Sequence, residues 1–384
     1  MRLEKLLRLI PSKKLDFLGA ETKVDYQVKK LRGNTIFKLI LFSMLNSQKL
    51  SLRVMESFCS SAHFKKYAGV GKINTRYNSI RDRICTINPE YFEKLFDTIF
   101  KIYNHELREE KALVKVDSTY VSIAGNLVNW SLKSGNPNNY HKQIKYGVSL
   151  KGNLPCHVRI FTERQFLSEN LALGETILHT LAIKESIITF DRGLQSRKVF
   201  DEMDANNILF VGRTYTECTK KQVEKKVVPK KPKSSSVSIV SDITCTLRIH
   251  SQGWTKSRYR LIKGRIDETQ EEICFVTNYL DASPYEIAAI YRQRWDIEIF
   301  FRFLKHNLNL NHLVSRNQNG IRVMISMTMI LAILILAYKK LNKIKGYKIA
   351  KLKFEIELDN CLLKEIVRLC GGNPQKASYL WNSS

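Results

Sequence analysis

From Tyr291 to His306 the chain reads Tyr-Arg-Gln-Arg-Trp-Asp-Ile-Glu-Ile-Phe-Phe-Arg-Phe-Leu-Lys-His, and four of these side chains could act on one substrate. On a helix turning about 100° per residue, Tyr291, Arg294, Glu298 and Lys305 fall at about 0°, 300°, 340° and 320°, within about 60° of arc. A lone carboxylate among a phenol, a guanidinium and an ammonium suits a site that binds a phosphodiester and a metal ion together. A solvated charged face would carry the same residue types. Against that reading, Ile287, Ile290, Ile297, Phe300, Phe301 and Leu304 cover the rest of the helix, and a mostly buried helix needs a partner for a charged stripe.

Two further carboxylates stand out from their surroundings. Asp117 interrupts the apolar, strand-like run Ala112–Ile123, and Asp191 ends the short apolar run Ser186–Phe190. An Asp in or after a buried strand needs a partner, and a metal ion is a good one. It is also a common turn or helix cap, so each acid alone says little. Together, Asp117, Asp191 and Glu298 would bring three oxygen ligands from two strands and a helix, beside the strand ends where α/β sites gather. Such a set could hold two Mg²⁺ ions for phosphodiester displacement.

The elements that must position these groups are legible from pattern. Ser283-Pro284-Tyr285-Glu286 predicts a capping box that starts the helix, and no Pro or Gly follows until Gly320. The helix is therefore expected to run through Lys305 without a break. Strands are expected at 144–150 and 154–161 with a Lys151-Gly152-Asn153 hairpin turn, then a helix at 169–181, a helix at 196–203 and a strand at 208–211. That order predicts a mixed sheet covered by helices. Lys220–Ser236 reads as a mobile basic loop, followed by strand-like runs at 243–249, 258–262 and 273–277.

Residues 1–105 read as helical, with helices at 35–45, 50–58, 73–84 and from Pro89. The third, capped by Thr75 or Asn74, puts Ile80 and Ile84 on one side and Arg76, Tyr77, Arg81 and Arg83 elsewhere. It could be a recognition helix of helix-turn-helix type or an ordinary amphipathic helix.

Composition narrows the class of partner. Lys and Arg number 63 against 36 acids, a net charge of +27 spread along the chain, which points to a polyanion, nucleic acid before membrane surface. Eight scattered cysteines without a Cys-x-x-Cys pair suggest neither zinc nor disulfides, and a reducing cytoplasm fits them best. No signal-peptide pattern follows Met1. The apolar stretch Val323–Tyr338 has 16 residues, short of the roughly 20 that span a bilayer, and is expected to be a buried core helix.

Taken together these residues resemble the DDE transposases of insertion-sequence family four, which carry the motif Tyr-x2-Arg-x3-Glu-x6-Lys. Tyr291, Arg294, Glu298 and Lys305 match every spacing, Asp117-Ser-Thr resembles the first acidic motif, and Asp191-Arg-Gly-Leu the second. The resemblance covers residues from about 105 to about 340. It implies an α/β, ribonuclease-H-like mixed sheet flanked by helices and interrupted by a β-rich insertion, behind an N-terminal helical DNA-binding region. The implied segments are 1–105, 106–212, 213–280, 281–345 and 346–384.

By that resemblance Asp117, Asp191 and Glu298 are the catalytic acids and the ligands of two Mg²⁺ ions, for which Mn²⁺ may substitute in the assay. Tyr291, Arg294 and Lys305 hold the DNA backbone at the element's end. Arg192 braces Asp191 or a phosphate, Trp295 packs on the sheet or stacks on a displaced base, and Arg76 and Arg81 are further DNA contacts. The partners implied are double-stranded DNA, as transposon end and target, and a second copy in a synaptic homodimer, in the cytoplasm at the nucleoid and without a membrane. Three rival readings stay open. They are a ribonuclease-H-like nuclease without strand transfer, an inactive DNA-binding derivative, and a membrane-surface protein.

Overall fold

A computed structural model describes residues 12–47, 49–71, 73, 75–107, 113–122, 132–134, 141–180, 186–249, 253–308, 310, 314–369 and 371–374. Ala112, Ile123, Asn74, residue 181 at the end of an expected helix, one of the eight cysteines (Cys370) and the residues around Met1 lie outside them. The chain forms two compact units, 109–301 and 1–108 with 302–384.

The first unit is built on one sheet. Its strands are β1 (Val114–Ser122), β2 (Leu132–Ser134), β3 (His141–Lys151), β4 (Leu154–Phe161), β5 (Ile187–Phe190), β6 (Leu209–Thr214), β7 (Lys220–Lys226), β8 (Val237–Ile249), β9 (Gly253–Trp254), β10 (Tyr259–Ile266) and β11 (Glu272–Thr277). Their order is β2-β3-β1-β5-β6-β11-β10-β8-β7, with β4 paired to β3 and β9 to β8. The pairs β1–β5 and β5–β6 are parallel and the rest antiparallel, so the expected mixed sheet is present. The strands expected between 243 and 277 extend this same sheet through the β6–β11 pair.

Period-two alternation sorts the side chains between two faces. Val114, Val116, Ile188, Phe190, Phe210, Leu261 and Cys274 belong to one buried cluster, and Val211, Ile262, Phe275 and Ile287 to the other. The first face is covered by helices Glu169–Thr180 and Arg197–Ala205, through Leu173, Ile177, Val199, Phe200 and Met203. At Gly147 of β3 the helix Glu169–Thr180 comes so close that a Cβ would stand 1.9 Å from Thr176 Oγ1. The second face receives the helix Pro284–Arg292, through Ile287 and Ala288.

That helix begins as expected. Glu286 N–H donates to Ser283 Oγ at 3.1 Å, and Ser283 N–H donates to Glu286 Oε2 at 2.7 Å. It does not run through Lys305. It stops at Arg292, and a second helix runs Trp295–Asn307. Across the break, the amides of Gln293, Arg294, Asp296 and Ile297 reach back three residues rather than four. Such a tightened turn interrupts a helix without Pro or Gly. Tyr291, before it, packs on Phe275 with ring centroids 5.2 Å apart.

The basic stretch is also corrected. Lys220–Lys226 forms strand β7, paired to β8, and only the residues after it are irregular. Its polar composition hid a strand whose side chains are mostly exposed.

The second unit is helical. Helices Ser12–Glu21, Gly33–Leu45, Leu52–Ser60, Ala62–Ala68, Tyr77–Thr86 and Glu90–Glu106 precede the sheet unit in sequence, and Gln318–Leu341 and Tyr347–Leu369 follow it. Residues 302–345, expected with the catalytic core, cluster with the N-terminal helices. Gln318–Leu341 is long and apolar enough to cross a membrane, yet every residue from Val323 to Tyr338 is buried. Its apolar surface is already covered by protein, as expected of a core helix. Arg322 at its start donates twice to Glu93, at 2.8 Å each.

Helix Tyr77–Thr86 buries Ile80 and Ile84 as the pattern predicted. Thr75 does not cap it. The N-cap position is Arg76, which makes no side-chain cap bond, and Tyr77 N–H donates to Glu56 Oε2 at 3.0 Å instead.

Candidate active site

The first two acids are brought level by strand register. In the parallel β1–β5 pair Lys115 stands opposite Thr189, so two residues further on Asp117 comes level with Asp191. Alternation puts both on the sheet face opposite Val116 and Phe190, the face that also receives the Pro284–Arg292 helix. Each carboxylate accepts from a backbone amide one or two residues further on. Ser118 N–H donates to Asp117 Oδ1 and Gly193 N–H to Asp191 Oδ1, both at 2.7 Å.

The third acid arrives with its motif arginine. Arg294 donates through Nη1 to Asp117 Oδ2 at 3.3 Å and through Nη2 to Glu298 Oε1. The guanidinium is buried, and its carbon lies 5.8 Å from the centre of the Tyr291 ring. Burial opposes its charge, but Tyr291, Asp117 and Glu298 outweigh that and hold its pKa above the ordinary value. Burial likewise pushes the Tyr291 phenol up, against the pull of Arg294 and Arg213.

Asp117 carries the largest electrostatic load. Burial, with the charge of Asp191 next, raises its pKa to about 7, although Arg294 and the Ser118 amide pull it down. A carboxyl that titrates near neutrality beside a second carboxylate is a functional-site signature, since structural acids are usually ionised and paired.

The three-carboxylate arrangement expected from the sequence does not appear. Among the described residues no three His, Cys, Asp or Glu side chains are grouped so as to hold a metal ion. Arg294 stands between Asp117 and Glu298 and supplies the positive charge there. Sequence spacing could not foresee this, because the Arg294–Asp117 contact joins residues far apart in the chain. Asp117 and Asp191 still suit a divalent cation, which would offset the burial and the Asp191 charge that lift Asp117. Glu298 could join them only with Arg294 displaced.

The remaining predicted residues are placed as follows. Lys305 lies on the Trp295–Asn307 helix but past Arg302, in the helical unit, where burial lowers its pKa. Trp295 is 53% exposed at the first position of its helix. It lines a cavity of about 460 Å³ with Tyr291, Arg294, Phe275, Tyr285 and Pro232. Arg192 is exposed and forms no ion pair with Asp191 among the described residues. In the helical unit, Arg76 and Arg81 are exposed, each near a carboxylate, Glu56 at 3.6 Å and Asp82 at 2.9 Å.

Sequence reasoning missed Glu169. It accepts from Ser118 Oγ at 2.6 Å and from the fully buried Lys145 at 2.7 Å, and its charge adds to the load on Asp117. Its place at the start of a helix suggested no more than a favourable charge for the first turn.

Residues 109–335 match the family described as Transposase DDE domain, and the chain belongs to that family. It is 26% identical over 294 residues to the transposase assigned to insertion sequence element IS5377 of Geobacillus stearothermophilus, covering 76% of this chain and 73% of that one. It is 25% identical over 240 residues to the protein designated transposase y4zB of Sinorhizobium fredii, covering 62% and 64%. A 64-residue segment is 44% identical to the transposase assigned to insertion sequence element IS4SA of Synechocystis, covering 17% and 19%. Among solved structures, a piggyBac transposase synaptic complex with hairpin DNA aligns at 11% identity with a TM-score of 0.41, over 92% of this chain and 78% of that one. That score is too low to decide the fold.

Proposed function

We propose that the chain is a transposase of insertion-sequence family four, with a ribonuclease-H-like core, that cuts and joins DNA at the terminal inverted repeats of its element. The observation that carries this reading is Asp117 level with Asp191 on one sheet face, with Tyr291, Arg294 and Glu298 gathered against them.

In this reading Asp117, Asp191 and Glu298 hold two Mg²⁺ ions, or Mn²⁺ in their place. Such ions, when bound, activate a water or 3′-hydroxyl and stabilise the leaving oxygen. The chain's own groups do the rest. Asp117 and Asp191, each held by a nearby backbone amide, would fix where the cations sit. Arg294 would face the phosphodiester, which it suits as a planar two-pronged donor, were its two acids to hold cations instead. Tyr291 and Lys305 hold the adjoining backbone, and Arg192 adds a phosphate contact. Trp295, exposed at the cavity rim, offers a stacking face to an unpaired base. Residues 1–105, with Arg76 and Arg81, grip the duplex, and the charge of +27 supplies salt-sensitive affinity for it. Two copies pair to join two element ends, in the cytoplasm.

The test uses a duplex carrying the inverted repeat that flanks the gene. Purified protein with Mg²⁺ or Mn²⁺ should nick it, and Asp117→Ala, Asp191→Ala and Glu298→Gln should each abolish nicking while leaving the fold intact. Normal nicking by any of the three would remove that residue from the site. Nicking without joining to a target duplex would favour a nuclease.

A further inference from the structure

A second link joins the two elements that carry Asp117 and Glu298. Lys115, two residues before Asp117, is 3% exposed, and its Nζ donates to Asp296 Oδ2 at 2.7 Å. Asp296 lies two residues before Glu298 in the first turn of the Trp295–Asn307 helix. The same ammonium donates to Gly152 O, in the β3–β4 turn, at 2.9 Å. Lys115 shares a sheet face with Asp117 by alternation, so its ion pair runs beside the Arg294–Asp117 contact.

The helix break makes this link consequential. Because the helical ladder is interrupted at Gln293–Arg294, the capped helix alone does not fix the Trp295–Asn307 helix. A contact with β1 must help to set how its first turn stands there. Arg294 is poorly suited, since it also holds Glu298 and lies where a phosphate or cation would compete for it. Lys115 has no such competitor. A buried ammonium cannot be left without a counter-charge, so the pair persists wherever the helix start stays in place.

We propose that Lys115 and Asp296 are positioning residues: their ion pair clamps the first turn of the Trp295–Asn307 helix onto β1 and so sets the separation of Glu298 from Asp117. The inference rests on the reading of those two acids as members of the reacting site.

Asp296→Asn removes the counter-charge of the buried Lys115 ammonium and Asp296→Glu restores it, so the two variants together test the clamp, with a urea midpoint for each to show that the chain stays folded. Hydrogen–deuterium exchange on the full chain should show residues 295–301 exchanging about tenfold faster in Asp296→Asn, with β3 and β4 unchanged. Nicking of the inverted-repeat duplex at saturation should fall about tenfold to a hundredfold, with duplex affinity within about twofold of wild type. Asp296→Glu should restore both. Unchanged exchange in Asp296→Asn, faster exchange with a normal nicking rate, or a Glu variant no better than Asn would each overturn the clamp. A wild-type protein that nicks no duplex would instead refute the proposed function, and the exchange comparison would still decide the clamp.

Discussion

Arg294 Nη1 lies 3.3 Å from Asp117 Oδ2, while Nη2 of the same guanidinium holds Glu298, four residues further along the chain. One cation, 177 residues along the chain from Asp117, thus neutralises two acids delivered by a strand and a helix. Arg294→Ala should cost about 1–3 kcal/mol at pH 8 and less at pH 5, where Asp117 is protonated and needs no counter-charge. Arg294→Lys should recover little, since a point charge cannot serve both carboxylates. Urea midpoints at the two pH values check this, and equal losses at both would argue that Arg294 contributes packing rather than charge.

The raised pKa of Asp117 has its own consequence. It stands at about 7 in the folded chain, against about 3.9 in an unfolded one. Between those values the folded state binds the extra proton, so this group makes stability decline as pH rises from about 4 to about 7, and the loss is complete above that. Asp117→Asn removes the decline. The variant should be about 2–4 kcal/mol more stable than wild type at pH 8 and nearly equal to it at pH 4. Parallel stability–pH curves for the two proteins would show that Asp117 titrates normally.

Gly193 follows Asp191 in its turn, and there a Cβ would stand 2.7 Å from Glu169 Cγ and 2.8 Å from Asp191 Oδ1. Both are flexible side-chain atoms, so Gly193→Ala should fold, at a cost of about 1 kcal/mol, but push one acid aside. Nicking should fall by about tenfold to a hundredfold. A fully active Ala variant would mean that the position of neither acid matters to the chemistry.

Arg260 and Asp242 form a pair exposed by only 2% and 1%, on neighbouring strands β10 and β8. Arg260 also donates to the carbonyls of Tyr279, Leu280 and Ala282, the residues that lead into the Ser283 cap. Asp242→Asn should cost about 3–5 kcal/mol, because it leaves a buried guanidinium without its counter-charge. Arg260→Met should cost more, since three carbonyls lose their donor as well. Equal denaturation midpoints for either variant and wild type would refute this account.

The sequence settled whatever depends on neighbours a few residues apart. The capping box at Ser283 is local side-chain to backbone chemistry, and it forms as read. Strand β4 followed from the Lys151-Gly152-Asn153 turn before it, and the burial of Ile80 and Ile84 from helical periodicity. The spacing of Tyr291, Arg294 and Glu298 was visible for the same reason. What could not be read depended on contacts distant in sequence. Asp117 and Asp191 come level only through the register of a parallel pair, which no local pattern specifies. The turn at Gln293–Arg294 carries no Pro or Gly to announce it, and the contacts of Arg294 with Asp117 and of Asp296 with Lys115 join residues far apart in the chain. Local propensity chose which residues were available; pairing and charge neutralisation across the sheet chose which of them meet.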